Sequence, residues 1–294
     1  MNLSIICGGI EYSLDDGTLC VLSGHDGWGM MPQHRLSQRG AQQHGESDLG
    51  WRGDPRYGTL VLKLPETDLD AMYTARRAPL LRLFAPQNSP TLKWDLGSYV
   101  RYIDCHYVGD MSLPWEQEKW AAQTVTVRLK APDPTFYALP AKSVVFALSG
   151  ATNSLQVPLS VPMFVGQSTL DQTVSITYAG DVDSSPHRIR IMGPVTDPVI
   201  TQKTTDEVLD FTGVTIAAGE YYDIDCRYGH KSVVDDSDAN KIADLTDDSD
   251  LATFHLAAAV EGTASRVNDI QVTGSAVTSA TEVYLNYYER SSGI

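Results

Sequence analysis

The 294-residue chain lacks the marks of most catalytic and membrane classes. No apolar run approaches the roughly 18 to 20 residues of a membrane-spanning helix. The start, MNLSIICGGIEYS, has neither a basic n-region nor a small-residue cleavage site. It does not read as a signal peptide, and the expectation is a chain made and folded in a cytoplasm. Cysteines number only four (Cys7, Cys20, Cys105, Cys226), with no CxxC spacing. They read as reduced, mostly buried thiols rather than a zinc site. No P-loop, no GxGxxG and no GxSxG elbow occurs, and no His/Cys cluster has metal-ligand spacing. Positive charge is scarce: 22 Lys and Arg stand against 37 Asp and Glu, a net charge of -15. The deficit is uneven. Residues 1–150 hold 16 acids and 14 Lys or Arg, whereas residues 151–294 hold 21 and 8. An acidic second half repels phosphate backbones and anionic lipid heads, which disfavours nucleic-acid and membrane-surface binding. The asymmetry also favours two domains.

What is present is β patterning. LSIICGGIEY and TLCVLSG read as a hairpin joined at LDDG. A polar, Gly-rich segment follows, Gly24 to Arg56, with little apolar period; loops of this length in compact domains serve a function or a partner. YGTLVLKLP, TLKWDL, SYVRYIDCHYV and WAAQTVTVRLKA read as strands. One helix is expected in ETDLDAMYTARRAPLLRLFAP, capped by Thr67 or Asp68. Its apolar spacing runs through Leu69, Met72, Tyr73, Leu80 and Leu81, and Pro79 should kink or end it. Pro132, Asp133 and Pro134 in APDPTFYALP mark the domain junction. Beyond it, short alternating runs separated by Gly, Asp, Asn and Pro at roughly ten-residue spacing indicate a β-sandwich or jelly roll. The expected fold is mainly β, with two sandwiches. Residues 1–140 form the first, with one helix and a long loop; 141–165 form a linker; 166–294 form the second.

Three stretches invite chemistry. DDSDANKIADLTD places oxygen ligands Asp236, Asp238, Asn240, Asp244 and Asp247 at the spacing of a calcium loop. Lys241 stands where that loop needs glycine, Asp247 replaces the bidentate Glu, and strands flank it, so a solvated acidic turn is the plainer reading. QHGES brings His44, Glu46 and Ser47 together without a catalytic motif. PWEQEKW sets Glu116 and Glu118 between Trp115 and Trp120, the nearest approach to a glycosidase-like carboxylate pair, and reads as a polar turn. No catalytic residue, metal or cofactor is expected, and the chain does not read as an enzyme.

Several pieces, in order over nearly the whole chain, resemble the distal tail protein (Dit) family of long non-contractile-tailed phages. They are QQHGES with RGDPR, LDAMYTARRAPLLRLFAP with Arg76 and Arg77, and VTVRLKAPDPTFYA. In the second half they are GDVDSSPHRIRIMGPVTDPVI, TIAAGEYYDIDCRYG and SDLATFHLAAAVEGTASRVNDIQV, the last matching at Asn268, Ile270 and Val272. The departures are Leu251, where the family often has an aromatic, and the inserted TASRV.

The resemblance implies a structural virion protein at the distal tail tip, assembled in the host cytoplasm. It implies an N-terminal sandwich that forms a homo-hexameric ring and a galectin-like C-terminal sandwich that projects outward. The implied ring caps the tail tube protein and joins it to a tail-tip hub or fibre protein or a baseplate. A tape-measure protein is a further implied partner, and DNA only passes through the open channel. A closed ring needs a heterologous interface. The segment Gly24 to Arg56 suits a contact arm, so Gln43, His44, Arg52 and Arg56, with Arg76 and Arg77 on the helix, are the interface candidates. The alternative reading is a carbohydrate-binding two-domain β protein.

Overall fold

The computed structural model describes residues 2–66, 68–109, 111, 113, 122–147 and 169–294. The chain divides into two compact units, Met1–Leu139 with Ser291–Ile294, and Pro140–Arg290. Each has its own apolar core.

In the first unit two antiparallel sheets enclose the core. One runs Ile10–Ser13, Asn2–Cys7, Thr91–Asp95, Val100–Asp104 and Phe136–Tyr137, with Ser291 on its last edge. The other runs Val21–Asp26, Arg56–Pro65, Ala122–Ala131 and His106–Tyr107. Alternation fixes the inward faces. Leu60, Leu62 and Leu64 stand opposite Val127, Val125 and Gln123, and all six are buried. A one-residue slip would turn this whole row to solvent, so the register is strongly specified. The first hairpin is tighter than expected. Asn2–Cys7 pairs with Ile10–Ser13 across Gly8 and Gly9, at φ +58° and +80°. Two successive positive φ values suit glycine, and the turn matches strand twist. LDDG therefore leads between sheets instead of closing this hairpin.

The helix forms and passes through Pro79. Leu69–Ala71 and Ala78–Leu83 are α-helical, and Met72–Arg77 between them is π-helical. Proline has no N–H, and its ring clashes with the carbonyl one turn back. The wider turn accommodates both problems, as π-bulges do. Asp68 caps the helix, its Oδ2 accepting from Ala71 N at 2.8 Å; Thr67 lies outside the described residues. The wider turn also shifts the apolar phase. Met72, Leu80 and Leu83 are buried, while Tyr73 and Leu81 are exposed.

The second unit is a sandwich of two five-stranded sheets. One runs Lys142–Ala147, Glu282–Tyr287, Arg188–Met192, Tyr221–Asp225 and Ser232–Asp235. The other runs Thr169–Tyr178, Arg266–Ser275, Val195–Gln202 and Glu207–Asp210, with Thr215–Ile216 paired to Val195–Gln202. Buried polar groups are matched. Asn268 Oδ1 accepts from Gln202 Nε2 and Ala257 N, each at 2.8 Å, and its Nδ2 donates to Ala257 O.

Two boundaries differ from expectation. Lys142–Ala147, expected in a linker, is a strand paired with Glu282–Tyr287, with Phe146 in the core; residues 148–165 of that linker lie outside the described residues. APDP is not the junction. The units divide at Leu139/Pro140. Asp133 Oδ1 accepts from Thr135 N and Oγ1 at 3.1 and 2.6 Å, so Pro132, Asp133 and Pro134 form a side-chain-stabilised turn inside the first unit.

Candidate functional site

The segment Gly24 to Arg56 is not one loop. Val21–Asp26 joins a sheet, and Gln33–Gln38 pairs with Ser47–Gly53 as a separate two-stranded ribbon. Every residue of Gln33–Gln38 is exposed, and Ser47–Gly53 is nearly so. A bulge leaves Leu49 unpaired between Asp48 and Gly50, with Gly50 at φ +109°. Such a bulge bends and twists the strand that holds it.

The ribbon is held at its root. Met31 is buried, and its N donates to Ser292 O at 2.8 Å, while Asp54 N donates to Pro32 O at 3.0 Å. Arg56 completes the anchor. Its Nε donates to Pro134 O at 3.0 Å, Nη1 to Gly29 O at 2.5 Å and Gly27 O at 3.3 Å, and Nη2 to Ser292 O at 2.7 Å. Its guanidinium lies 4.9 Å from the centre of the Phe136 ring. Arg56 is fully buried and has carbonyl oxygens as its hydrogen-bond acceptors; burial lowers its pKa below the ordinary arginine value. These bonds also explain why Ser291–Ile294 belongs to the first unit.

The tip is ordered by Gln43. Its Oε1 accepts from Gly40 N at 3.0 Å, and its Nε2 donates to Ser47 Oγ at 2.8 Å. His44 and Arg52 are exposed. Arg52 lies 3.5 Å from Asp54, and Arg35 lies 3.3 Å from Asp48, both in solvent. Exposed pairs of this kind contribute about 0 to 1 kcal/mol. A two-stranded ribbon without a buried face is marginal alone. This one nonetheless exposes Leu49 at 60%, Trp51 at 48% and Leu36 at 39%, with Met30 at 71% beside its root. Covering such side chains contributes on the order of 1 to 2 kcal/mol each. The ribbon is thus a polar arm with an apolar element available for contact.

The structure separates the sequence candidates. Gln43, His44 and Arg52 lie together on the ribbon. Arg56 is internal, because its donors saturate carbonyls around the root. Arg76 and Arg77 also turn inward. Arg76 bonds Gly17 O and Thr18 O and lies 3.6 Å from Glu66. Arg77 Nη2 donates to Leu113 O at 3.0 Å. Both fasten the helix to its own unit, where carbonyl acceptors replace a neighbouring subunit. Trp51, Leu49, Leu36 and Met30 carried no periodic signal, since the ribbon has no buried side; large apolar residues inside a polar segment were the one available clue.

Among the described residues the remaining stretches show no reactive arrangement. Glu46 accepts from Ser37 Oγ at 2.5 Å and Ser47 accepts from Gln43, so His44, Glu46 and Ser47 do not form a relay. PWEQEKW lies outside the described residues. In the acidic turn, Asp235 Oδ1 accepts from Ser237 N and Oγ and from Ala239 N. Asn240 accepts from Ile242 N, and Asp244 accepts from Tyr222 Oη at 2.7 Å. Asp236, Asp238 and Asp247 are exposed. The oxygen ladder of the sequence therefore splits among local donors and solvent. Among the described residues no group of three or more His, Cys, Asp or Glu is placed to hold a metal ion. The Cys20 and Cys226 thiols are pushed up to about 12 by burial, and Cys105 is pushed up likewise.

No family model matches the chain, and no curated protein does. Among solved structures the chain is similar to the SPP1 Dit protein, described as a paradigm of hub adsorption apparatus in Gram-positive infecting phages. The TM-score is 0.64 at 12% identity, over 98% of each chain. Two structures of the phage p2 baseplate in its activated conformation, with Sr and with Ca, match with TM-scores of 0.48 and 0.47. Both are 9% identical over 92% of this chain and 97% of theirs. The first likeness establishes the fold: along nearly its whole length this chain has the mainly β fold of a phage tail hub protein.

Proposed function

We propose that this chain is a distal tail protein of a phage virion: a structural, non-enzymatic component that forms a homo-hexameric ring at the tail tip. In this reading the ring caps the tail tube protein and holds a tail-tip hub or fibre protein. It contacts a tape-measure protein and leaves a central channel through which DNA passes. The observation that carries it is the ribbon Gln33–Gly53, rigidly rooted at Arg56 and Ser292, which presents Trp51, Leu49 and Leu36 to solvent. An apolar element on an otherwise polar arm matches a surface covered by a neighbour. A head-to-tail contact through such an arm closes into a ring when the rotation divides a full turn. The hub-protein fold over 98% of the chain supports the same reading.

The test is the mass of the purified protein by light scattering, with negative-stain imaging. A six-fold ring with a central hole is expected. Changing Leu49→Ser and Trp51→Ser together should shift the protein to monomer with an unchanged far-ultraviolet circular dichroism spectrum. A strict monomer for the unaltered chain at every concentration would overturn the proposal.

A further inference from the structure

The ribbon's exposed apolar side chains have a counterpart elsewhere on the first unit. A cavity of about 350 Å³ opens among His25, Asp26, Trp28, Gly29, Leu96 and Ile294. His25 and Asp26 end the strand Val21–Asp26, and Trp28 and Gly29 lie in the segment that leads on to Gln33–Gln38. Leu96 follows directly on Thr91–Asp95 in the facing sheet. All six belong to the first unit. Trp28 is buried, its Nε1 donates to Thr59 O at 3.4 Å, and its ring centre lies 6.0 Å from that of Trp94. His25 stands edge-on to Trp94, with ring centres 4.9 Å apart. Leu96 and Ile294 are 38% and 39% exposed, so the cavity is open to solvent rather than enclosed.

The lining favours a protein side chain over a small molecule. Small-molecule sites enclose most of their ligand and converge several polar groups on it. Here aromatic and aliphatic groups surround a single carboxylate. Asp26 Oδ1 accepts from Gly27 N at 2.8 Å, and among the described residues no cation pairs with Asp26. The fitting occupant is therefore a large apolar side chain with a cation beside it. The ribbon presents that pair. Trp51 stands directly opposite Arg35, and such cross-strand neighbours lie about 4.5 to 5.5 Å apart at Cβ. Arg35 meets Asp48 at 3.3 Å with the two side chains 66% and 63% exposed, so exchanging that partner for Asp26 costs little. Tryptophan and arginine are also the residue types that most often dominate interfaces.

Trp51 does not line the cavity of its own chain. The root of the ribbon keeps it away. Gly53, two residues further on, is packed so closely that a Cβ there would lie 3.1 Å from Pro134 Cγ and 3.6 Å from Met31 Sδ. The strand therefore leaves the root in one fixed direction. We propose that the cavity is the socket for Trp51 of a second copy of this chain. The incoming indole packs against His25 and Trp28, an edge-to-face or offset contact that aromatic rings favour. Arg35 of the incoming ribbon pairs with Asp26. Arm and socket are different surfaces, so the contact is heterologous, as a closed ring requires. The socket rests on the ring reading and adds to it the seat of the arm.

Photocrosslinking on the full chain tests it, with Trp51 replaced by the photoreactive aromatic p-benzoylphenylalanine. Light and heavy-isotope-labelled chains are mixed before assembly, so that a mixed-isotope adduct identifies a link between copies. The link should fall on residues 25–29 or on Leu96 of another copy. A link to any other segment, or one within a single chain, overturns the socket and leaves the ring reading standing. A monomeric unaltered chain overturns the ring reading and the socket with it. Substitutions provide a second measurement by light scattering over a dilution series. Gly29→Leu, whose Cβ meets open space, fills the socket, and Leu96→Glu charges its wall. Each folded variant should weaken assembly about tenfold or more. Asp26→Arg and Arg35→Asp should each weaken it, and the two together should restore it, which a merely structural role for either residue would not produce. Undiminished assembly in the folded Gly29→Leu and Leu96→Glu variants, or no recovery in the charge-reversed pair, overturns the socket.

Discussion

Replacing Arg56 by methionine tests the account of the ribbon's root. The substitution keeps most of the apolar stem and removes every N–H donor. Four carbonyl oxygens, of Gly27, Gly29, Pro134 and Ser292, lose a charged donor. A hydrogen bond to a charged group contributes about 1.5 to 3 kcal/mol net, so four bonds set an upper range of about 6 to 12 kcal/mol. Against this stands the desolvation of a buried guanidinium, several kcal/mol, which methionine no longer incurs. The expected net loss is about 3 to 5 kcal/mol, a large fraction of the 5 to 15 kcal/mol typical of a domain. At roughly 3 °C per kcal/mol for a unit of this size, Tm falls by about 9 to 15 °C. The assay has a natural reporter. All five tryptophans (Trp28, Trp51, Trp94, Trp115, Trp120) lie in the first unit and none in the second. Tryptophan fluorescence in urea therefore follows the first unit alone. Arg56→Met should lower the fluorescence midpoint with an unchanged slope. Arg56→Lys, whose ammonium cannot span the same four oxygens, should fall between. A loss below about 1 kcal/mol for Arg56→Met would refute the reasoning, since it would mean that water or relaxation satisfies the carbonyls.

Three further outcomes are expected. Asn268→Ala should destabilise the second unit by about 2 to 4 kcal/mol in urea unfolding, because Gln202 and the Ala257 backbone lose buried partners. Iodoacetamide at pH 8, read by mass spectrometry, should label Cys7 in the native protein and all four cysteines after denaturation. Cys7 is half-buried, whereas burial holds the other three thiols protonated. Burial also holds the His187 imidazole below its ordinary value, with Arg227 adding to the effect. As pH falls below about 6.5 the unfolded chain takes its proton first, so the stability linked to neutral His187 is present above that pH and is lost below it. The second unit's urea midpoint should drop between pH 7 and pH 5.5, and the drop should be smaller in His187→Gln.

How much of this was legible in the sequence depends on burial. The sandwich strands were readable because one face of each meets a core. Leu60, Leu62 and Leu64, or Ile189 and Ile191, alternate with polar neighbours for that reason. The helix was readable from its spacing, but its path through Pro79 was not, since spacing does not report which carbonyls a proline displaces. The ribbon escaped the period-two test because both of its faces meet solvent, so polar residues occupy both. Among the interface candidates, Gln43, His44 and Arg52 lie on one exposed arm. Arg56, on the arm's root, and Arg76 and Arg77, on the helix, turn inward, which the sequence does not reveal, because an arginine that bonds backbone carbonyls looks in sequence like one in solvent.

Composition and alternation alone determined a mainly β chain in two parts, with an acidic second half. Those properties are local or additive, so they survive in a string of letters. Only the tertiary structure decided that Arg56 is an internal anchor and that Ser291–Ile294 returns to the first unit. Only it placed Arg188, Arg190, Asp223 and Asp225 on one sheet face. The hydrogen-bond partners of Arg56, Arg188 and Arg190 lie from 27 residues to 236 residues away in the chain. Contacts at such separation depend on how sheets close and pack, a choice made by the whole core at once rather than by any segment of sequence.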